Sequence, residues 1–312
     1  MTSAVLVTGA NGLLGAQCIA ALANDLNQKV IGVWHRGVEH LLAEPPSNVM
    51  YVQRDLADTE AVRDLFTCEY IGAVLHTAVL LPDSLARYEE RAVPANVLTM
   101  VNLASAARDA KCARFVYCSS VSVYGTTNTA GSLFYEEDVP SPEDAYGWSK
   151  LAGEQYLRLC CSPTGMSGVS LRLSGLHGPG RRGGVFYHFM RAAISGAPIT
   201  IASAHVPFQF LHLDDAVAIA LRALYVLTDE VTDFTAMNVA SAVVPSLQDI
   251  AAQAVSMLGP NVPIIISGET PVRYQIMATN KLCKLPDWQP RDVIETLNSV
   301  FSWLEHESVG AK

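Results

Sequence analysis

The stretch Ala4-Val5-Leu6-Val7-Thr8-Gly9-Ala10-Asn11-Gly12-Leu13-Leu14-Gly15 constrains the fold more than any other part of this chain. A short apolar run meets three glycines spaced three apart, and a helical pattern follows at once. Gly9 lets the chain turn tightly, Gly12 lets backbone approach a ligand, and Gly15 lets the helix pack close to the strand. The free amides and the dipole at the start of that helix then suit phosphate. In the context of strand, loop and helix, the pattern reads as a dinucleotide-binding fingerprint.

The rest of the chain extends this unit. Apolar, β-branched runs at 4–8, 30–34, 49–53, 73–77, 115–119 and 170–173 read as strands. Helical patterns at 13–26, 59–66, 95–110 and 146–159 alternate with them. Such alternation predicts an α/β Rossmann fold, a doubly wound parallel sheet with helices on both faces. Beyond Gly175 the rhythm changes: a helix at 185–195, a strand at 199–201, a helix at 214–227, a strand at 237–239, then helices at 247–258 and 293–305. Residues 1–174, rejoined by 208–240, are expected to form the dinucleotide-binding core, and 175–207 with 241–312 a smaller C-terminal substrate-binding region.

Composition narrows the function classes. Half of the 312 residues are hydrophobic, 16% are charged and the formal net charge is -9. Such a chain can bury a large core, and its acidity argues against nucleic acid and anionic membrane surfaces. The apolar N-terminal run is cut short by Gly9 and has no basic flank, so it reads as a strand and not a signal peptide. The seven cysteines form no paired C-x-x-C motif, and His177, His188, His205 and His212 show no metal spacing. Reduced thiols, no metal and a cytoplasmic setting are the expectation.

Cofactor choice is read at the end of the second strand. An acidic residue there would bond the ribose hydroxyls of NAD. This chain has Val33-Trp34-His35-Arg36 instead, and Arg36 suits a 2′-phosphate. NADP(H) is therefore favoured, with NAD(H) as the alternative. Asp55, in Arg54-Asp55-Leu56, is placed to accept from the adenine amino group.

Tyr146-Gly147-Trp148-Ser149-Lys150 carries the chemistry. Four residues apart on a helix, Tyr146 and Lys150 share a face. A phenol titrating near ~10 is a poor base at neutral pH. A neighbouring ammonium and an oxidised nicotinamide favour the phenolate, so the tyrosine can exchange a proton while hydride moves.

These motifs together resemble the extended short-chain dehydrogenase/reductases of the NAD-dependent epimerase/dehydratase family. Matching segments are Val7 to Gly15, His76-Thr77-Ala78, Asn96, Ser119-Ser120-Val121-Ser122-Val123-Tyr124-Gly125, His212-Leu213-Asp214-Asp215 and Trp288-Gln289-Pro290. The resemblance implies catalysis by Ser120, Tyr146 and Lys150, with Ser120 bonding the reacting oxygen and Lys150 holding Tyr146 and the nicotinamide ribose. Ser119 and Ser122 read as local hydrogen-bonding residues. The implied cofactor-binding set is Gly9, Asn11, Gly12, Leu13, Leu14, Gly15, His35, Arg36, Asp55, Leu56, Thr77, Ala78, Asn96, Tyr146, Lys150 and Leu173. It also implies a homodimer through a two-fold helical bundle.

The departures from the family concern substrate. After the sixth strand the chain reads Arg172-Leu173-Ser174-Gly175-Leu176-His177-Gly178-Pro179-Gly180, with Gly175 where the family often has asparagine. Phe208 takes the place of a phosphate-binding arginine, and Arg181, Arg182 or Arg273 could compensate. Ser122, Trp148, Gly175, Phe186 and Phe208 are the expected substrate pocket, an apolar wall for a small molecule. The expected function is an oxidoreductase interconverting a carbonyl and a secondary alcohol, on a substrate without a nucleotide. The alternatives are a nucleotide-sugar epimerase or dehydratase with tightly bound NAD, and a non-catalytic cofactor-binding regulator.

Overall fold

The structure, a computed structural model, describes residues 3–38, 40–81, 88–161, 165–227, 233–258, 262–268 and 273–310. Its first half runs β1 (Ala4–Thr8), α1 (Leu13–Leu22), β2 (Val30–Trp34), β3 (Val49–Gln53), α2 (Thr59–Cys68), β4 (Ile71–His76), α3 (Tyr88–Asp109) and β5 (Arg114–Ser120). A 3-10 turn (Val121–Tyr124) leads to α4 (Ala145–Cys161), β6 (Ser167–Leu173), β7 (Gly175–His177), α5 (Gly184–Ser195), β8 (Ile199–Ile201) and β9 (Phe210–His212). There follow α6 (Leu213–Arg222) with a π-helical turn (Ala223–Leu227), β10 (Phe234–Val239), α7 (Leu247–Leu258), β11 (Ile264–Ile266), a second 3-10 turn (Leu282–Lys284) and α8 (Val293–Gly310).

Seven strands form one sheet in the order β10-β6-β5-β4-β1-β2-β3. The pairs from β3 across to β5 are parallel. β1 has β2 on one side and β4 on the other, so the winding reverses there, and ligands of such sheets bind beyond the strand ends at that reversal. Both faces of β1 are buried: Ala4 and Leu6 join a core with Met100, Leu103 and Leu157, while Val5 and Val7 are buried on the other side. Each of the buried Val, Leu and Met side chains contributes roughly 1.5–3 kcal/mol.

Local chemistry sets the element ends. Asp58 caps α2 by accepting from the amides of Glu60 and Ala61. α1 stops at Leu22, short of the expected residue 26. There the buried Asn48 amide collects the carbonyls of Ala23, Asp25 and Gln28, which holds the chain in a turn. α3 begins before Pro94 and not after it, since a proline inside a helix removes one hydrogen bond without always ending it. β7, β9 and β11 have three residues each, too few for an alternating pattern to show.

The chain divides into two compact units. Unit 1 comprises 1–125, 137–172 and 217–237; unit 2 comprises 126–136, 173–216 and 238–312. The segment 126–136, read above as part of the first region, is in unit 2 because it pairs there. Phe134 N–H donates to the Ile276 carbonyl, and Asn238 Nδ2 donates to the Phe134 carbonyl. Residues 208–216 also fall in unit 2, where β9 pairs with β7. Unit 2 has its own core of Phe186, Met190, Phe210, Ile250 and Leu297. No described helix is long and apolar enough to cross a membrane. All seven cysteines are free, and the described residues hold no group of three or more His, Cys, Asp or Glu that could bind a metal.

Candidate active site

The glycine loop folds tightly against the ends of β1 and β4. Gly9 has φ +69°, and a Cβ there would stand 2.9 Å from the backbone of Ala78. At Gly15 a Cβ would stand 2.2 Å from the Gly9 carbonyl oxygen, so any side chain would force loop and helix apart. The Gly12 amide donates to that same oxygen at 2.8 Å. Gly12 is exposed and caps α1 without any side-chain hydrogen bond. The first turn of α1 is thus free of a competing side-chain cap, and this open cradle fits the pyrophosphate of a dinucleotide.

Thr8 ties the two strand ends together. Its hydroxyl accepts from the Ala78 amide and bonds His76 Nδ1 at 2.7 Å, while Thr77 Oγ1 donates to the Thr8 carbonyl. Asn11 Nδ2 donates to the Arg36 and Gly37 carbonyls and so fixes the tip of β2. Arg36 itself is exposed, and His35 Nε2 lies 3.8 Å from Asp55 Oδ2. Leu13 is half-buried and Leu14 buried.

Two expected cofactor residues have other duties. The Asn96 amide is spent on Leu80: its oxygen accepts the Leu80 N–H and its Nδ2 donates to the Leu80 carbonyl. It shapes the strand-to-helix loop after β4. Leu56 puts its side chain in the core, and its carbonyl accepts from Asn102.

Lys150 is 3% exposed, and its Nζ donates to the Cys118 carbonyl at 2.7 Å. The ammonium stands 4.8 Å from the centre of the Tyr117 ring and 5.8 Å from that of Tyr146. Burial lowers its pKa to about 8. His76, stacked on Tyr117 at 5.4 Å, is lowered to about 3 by burial first and by Lys150 second. A neutral imidazole therefore backs the lysine and does not compete with it for charge.

Ser120 ends β5, and its Oγ accepts from the Ser122 amide at 3.1 Å, leaving its proton to donate elsewhere. Gly147, next to Tyr146, packs so close to this turn that a Cβ would meet the Ser122 carbonyl oxygen at 2.3 Å. The Ser119 hydroxyl, expected to bond locally, is buried without a partner among the described residues.

One further group was not singled out by sequence. Glu154 is one turn beyond Lys150 on the same face of α4 and is buried against Arg172. Arg172 Nη2 and Nε donate to the Glu154 carboxylate at 2.8 and 3.1 Å, and Nη1 donates to Tyr124 Oη at 2.6 Å. The spacing 146, 150, 154 was the signal that could have found it.

The expected substrate residues divide between the units. Trp148 is exposed and Ser122 half-buried, both in unit 1. In unit 2, Gly175 is exposed in β7, and Leu173, expected to bind cofactor, is buried at the end of β6. Phe186 is fully buried in the core between His177 and Phe210, which corrects its reading as pocket wall. Phe208 is half-buried, with its ring 5.5 Å from His177 and 6.5 Å from Phe186.

The family model described as "NAD dependent epimerase/dehydratase family" matches residues 5–240. The UDP-glucose 4-epimerase of Vibrio cholerae is 28% identical over 203 residues, 65% of this chain and 60% of that protein. The human dTDP-D-glucose 4,6-dehydratase is 31% identical over 190 residues, 56% of this chain and 51% of that protein. The chain thus matches between about half and three-fifths of the length of these relatives. The structure of UDP-glucuronic acid 4-epimerase from Bacillus cereus in complex with NAD superposes with a TM-score of 0.82 at 21% identity, covering 97% of this chain and 99% of that one.

Proposed function

Since this chain belongs to the NAD-dependent epimerase/dehydratase family, we propose that it oxidises a secondary alcohol of a sugar nucleotide, and returns the hydride, at a retained NAD. The observation that carries this reading is the buried Lys150 ammonium beside the Tyr146 ring on one face of α4, in the same unit as an open glycine cradle. The named activities of the relatives, epimerisation of UDP-sugars and dehydration of a dTDP-sugar, support the substrate class.

In this reading the glycine loop holds the pyrophosphate and Asp55 the adenine. A bound nicotinamide supplies the hydride acceptor and donor. Tyr146 takes the proton from the substrate hydroxyl as the hydride leaves and returns it in the reverse step. Ser120 donates its remaining proton to the reacting oxygen. Lys150 holds the nicotinamide ribose, and its charge favours the Tyr146 phenolate.

Purified protein is expected to carry NAD that added sugar nucleotide does not consume. Tyr146→Phe should keep fold and cofactor but lose turnover by at least ~10²-fold. A variant within a few-fold of wild type would remove Tyr146 from this role.

Two observations favour a second reading, a reductase for a substrate without a nucleotide. Arg36 is exposed at the tip of β2, where it suits the 2′-phosphate of NADP(H), and Phe208 fills its place with packing. Here NADPH would be consumed stoichiometrically, and Arg36→Ala would weaken NADPH binding more than NADH binding. Equal weakening of the two would dismiss this reading of Arg36.

A further inference from the structure

Unit 2 contains an arginine that no described residue neutralises. Arg181 sits in the loop Gly178-Pro179-Gly180-Arg181-Arg182-Gly183-Gly184, between β7 and α5. Three glycines of this loop hold left-handed conformations: Gly178 at φ +142°, Gly180 at +84° and Gly184 at +78°. At Gly184 a Cβ would stand 2.7 Å from the His177 ring and 3.5 Å from Arg181 Nε. The loop therefore has a defined shape that draws the arginine in against His177.

Among the described residues the guanidinium meets no counter-charge. Its Nε is buried and has no hydrogen-bond partner among the described residues. Burial pushes its pKa below the ordinary arginine value. His177 beside it is neutral, lowered to about 3 by its own burial first and by Arg181 second. The next residue differs: Arg182 is exposed and paired with Glu307 at 2.5 Å. Arg291 of the same unit is paired with Asp214 and Asp215. A partly desolvated cation without a partner is costly, and an incoming anion removes that cost. A planar guanidinium suits phosphate oxygens, which accept two parallel hydrogen bonds.

Phe208, an uncharged ring, packs on His177 as well. We propose that Arg181 is an anion site of unit 2 that takes the diphosphate of a nucleotide. The inference rests on the sugar-nucleotide reading above.

Calorimetry on the full chain with NAD present tests it, using UDP, GDP and dTDP as probes. The expected result is micromolar binding of at least one probe, weakened tenfold or more by Arg181→Gln. Arg181→Lys should recover part of that loss, because the charge remains and the paired donors do not. Arg182→Gln should bind within twofold of wild type. Equal binding by wild type, Arg181→Gln and Arg181→Lys would overturn the role of Arg181 and leave the sugar-nucleotide reading standing. No binding of any probe by wild type would overturn both. If Arg181→Gln does not fold, as judged by its melting temperature, the lysine variant decides: affinity equal to wild type overturns the proposal, and a measurable loss supports it.

Discussion

Lys150 is a charge held where burial disfavours it. Its ammonium meets the Cys118 carbonyl and two aromatic rings, and burial lowers its pKa to about 8. The charged form is the one that bonds a ribose hydroxyl while favouring a phenolate. A depressed lysine is protonated below its folded pKa and loses the proton as pH rises through it. NADH affinity should therefore be constant near pH 7 and fall as pH passes about 8. Fluorescence titration between pH 7 and 9.5 measures this, with Lys150→Met as reference. The variant should bind weakly and without that inflection. A wild-type affinity unchanged up to pH 9.5 would separate Lys150 from cofactor binding.

At the scale of elements, α4 is the part on which the candidate site is built. Its N-terminal end meets the serine turn through Gly147, and Gly153 lies against Tyr117, where a Cβ would stand 2.6 Å from the phenol oxygen. Farther along, Glu154 joins α4 to β6 and to the 3-10 turn through Arg172 and Tyr124. A buried ion pair is weak as a net stabiliser, but leaving one partner alone costs about 3–5 kcal/mol. Arg172→Met should therefore lower the melting temperature sharply. Glu154→Gln combined with Arg172→Met should recover a large part of the loss, since no lone carboxylate remains. Equal melting temperatures for the single and double variants would show that packing, not charge, dominates at this site.

For the molecule as a whole, the outward faces of α3 and α4 bear on assembly. α3 and α4 pack together in unit 1, yet Leu98 on α3 is 43% exposed and Leu159 on α4 is 70% exposed. Apolar side chains turned outward on adjacent helices suit a second copy of the same surface, consistent with a two-fold helical bundle. A homodimer is expected in light scattering, and Leu98→Lys with Leu159→Lys should give monomer. A wild-type mass of one chain at all concentrations would end this expectation.

The sequence by itself determined what depends on consecutive residues. Alternating strand and helix periods specified the doubly wound sheet, and the three glycines announced the loop, because each pattern lies within one element. The spacing of Tyr146 and Lys150 put both on one helical face for the same reason. Tertiary structure decided what depends on distant partners. Asn96 became a clamp on Leu80, and Phe186 became core between His177 and Phe210. Arg172 found Glu154 and Tyr124, 18 and 48 residues away. Whether a polar group is satisfied, or a ring is wall or core, is set by what the rest of the chain packs against it. No local pattern carries that information, and Arg181, next to the paired Arg182, differs from it only in the folded chain.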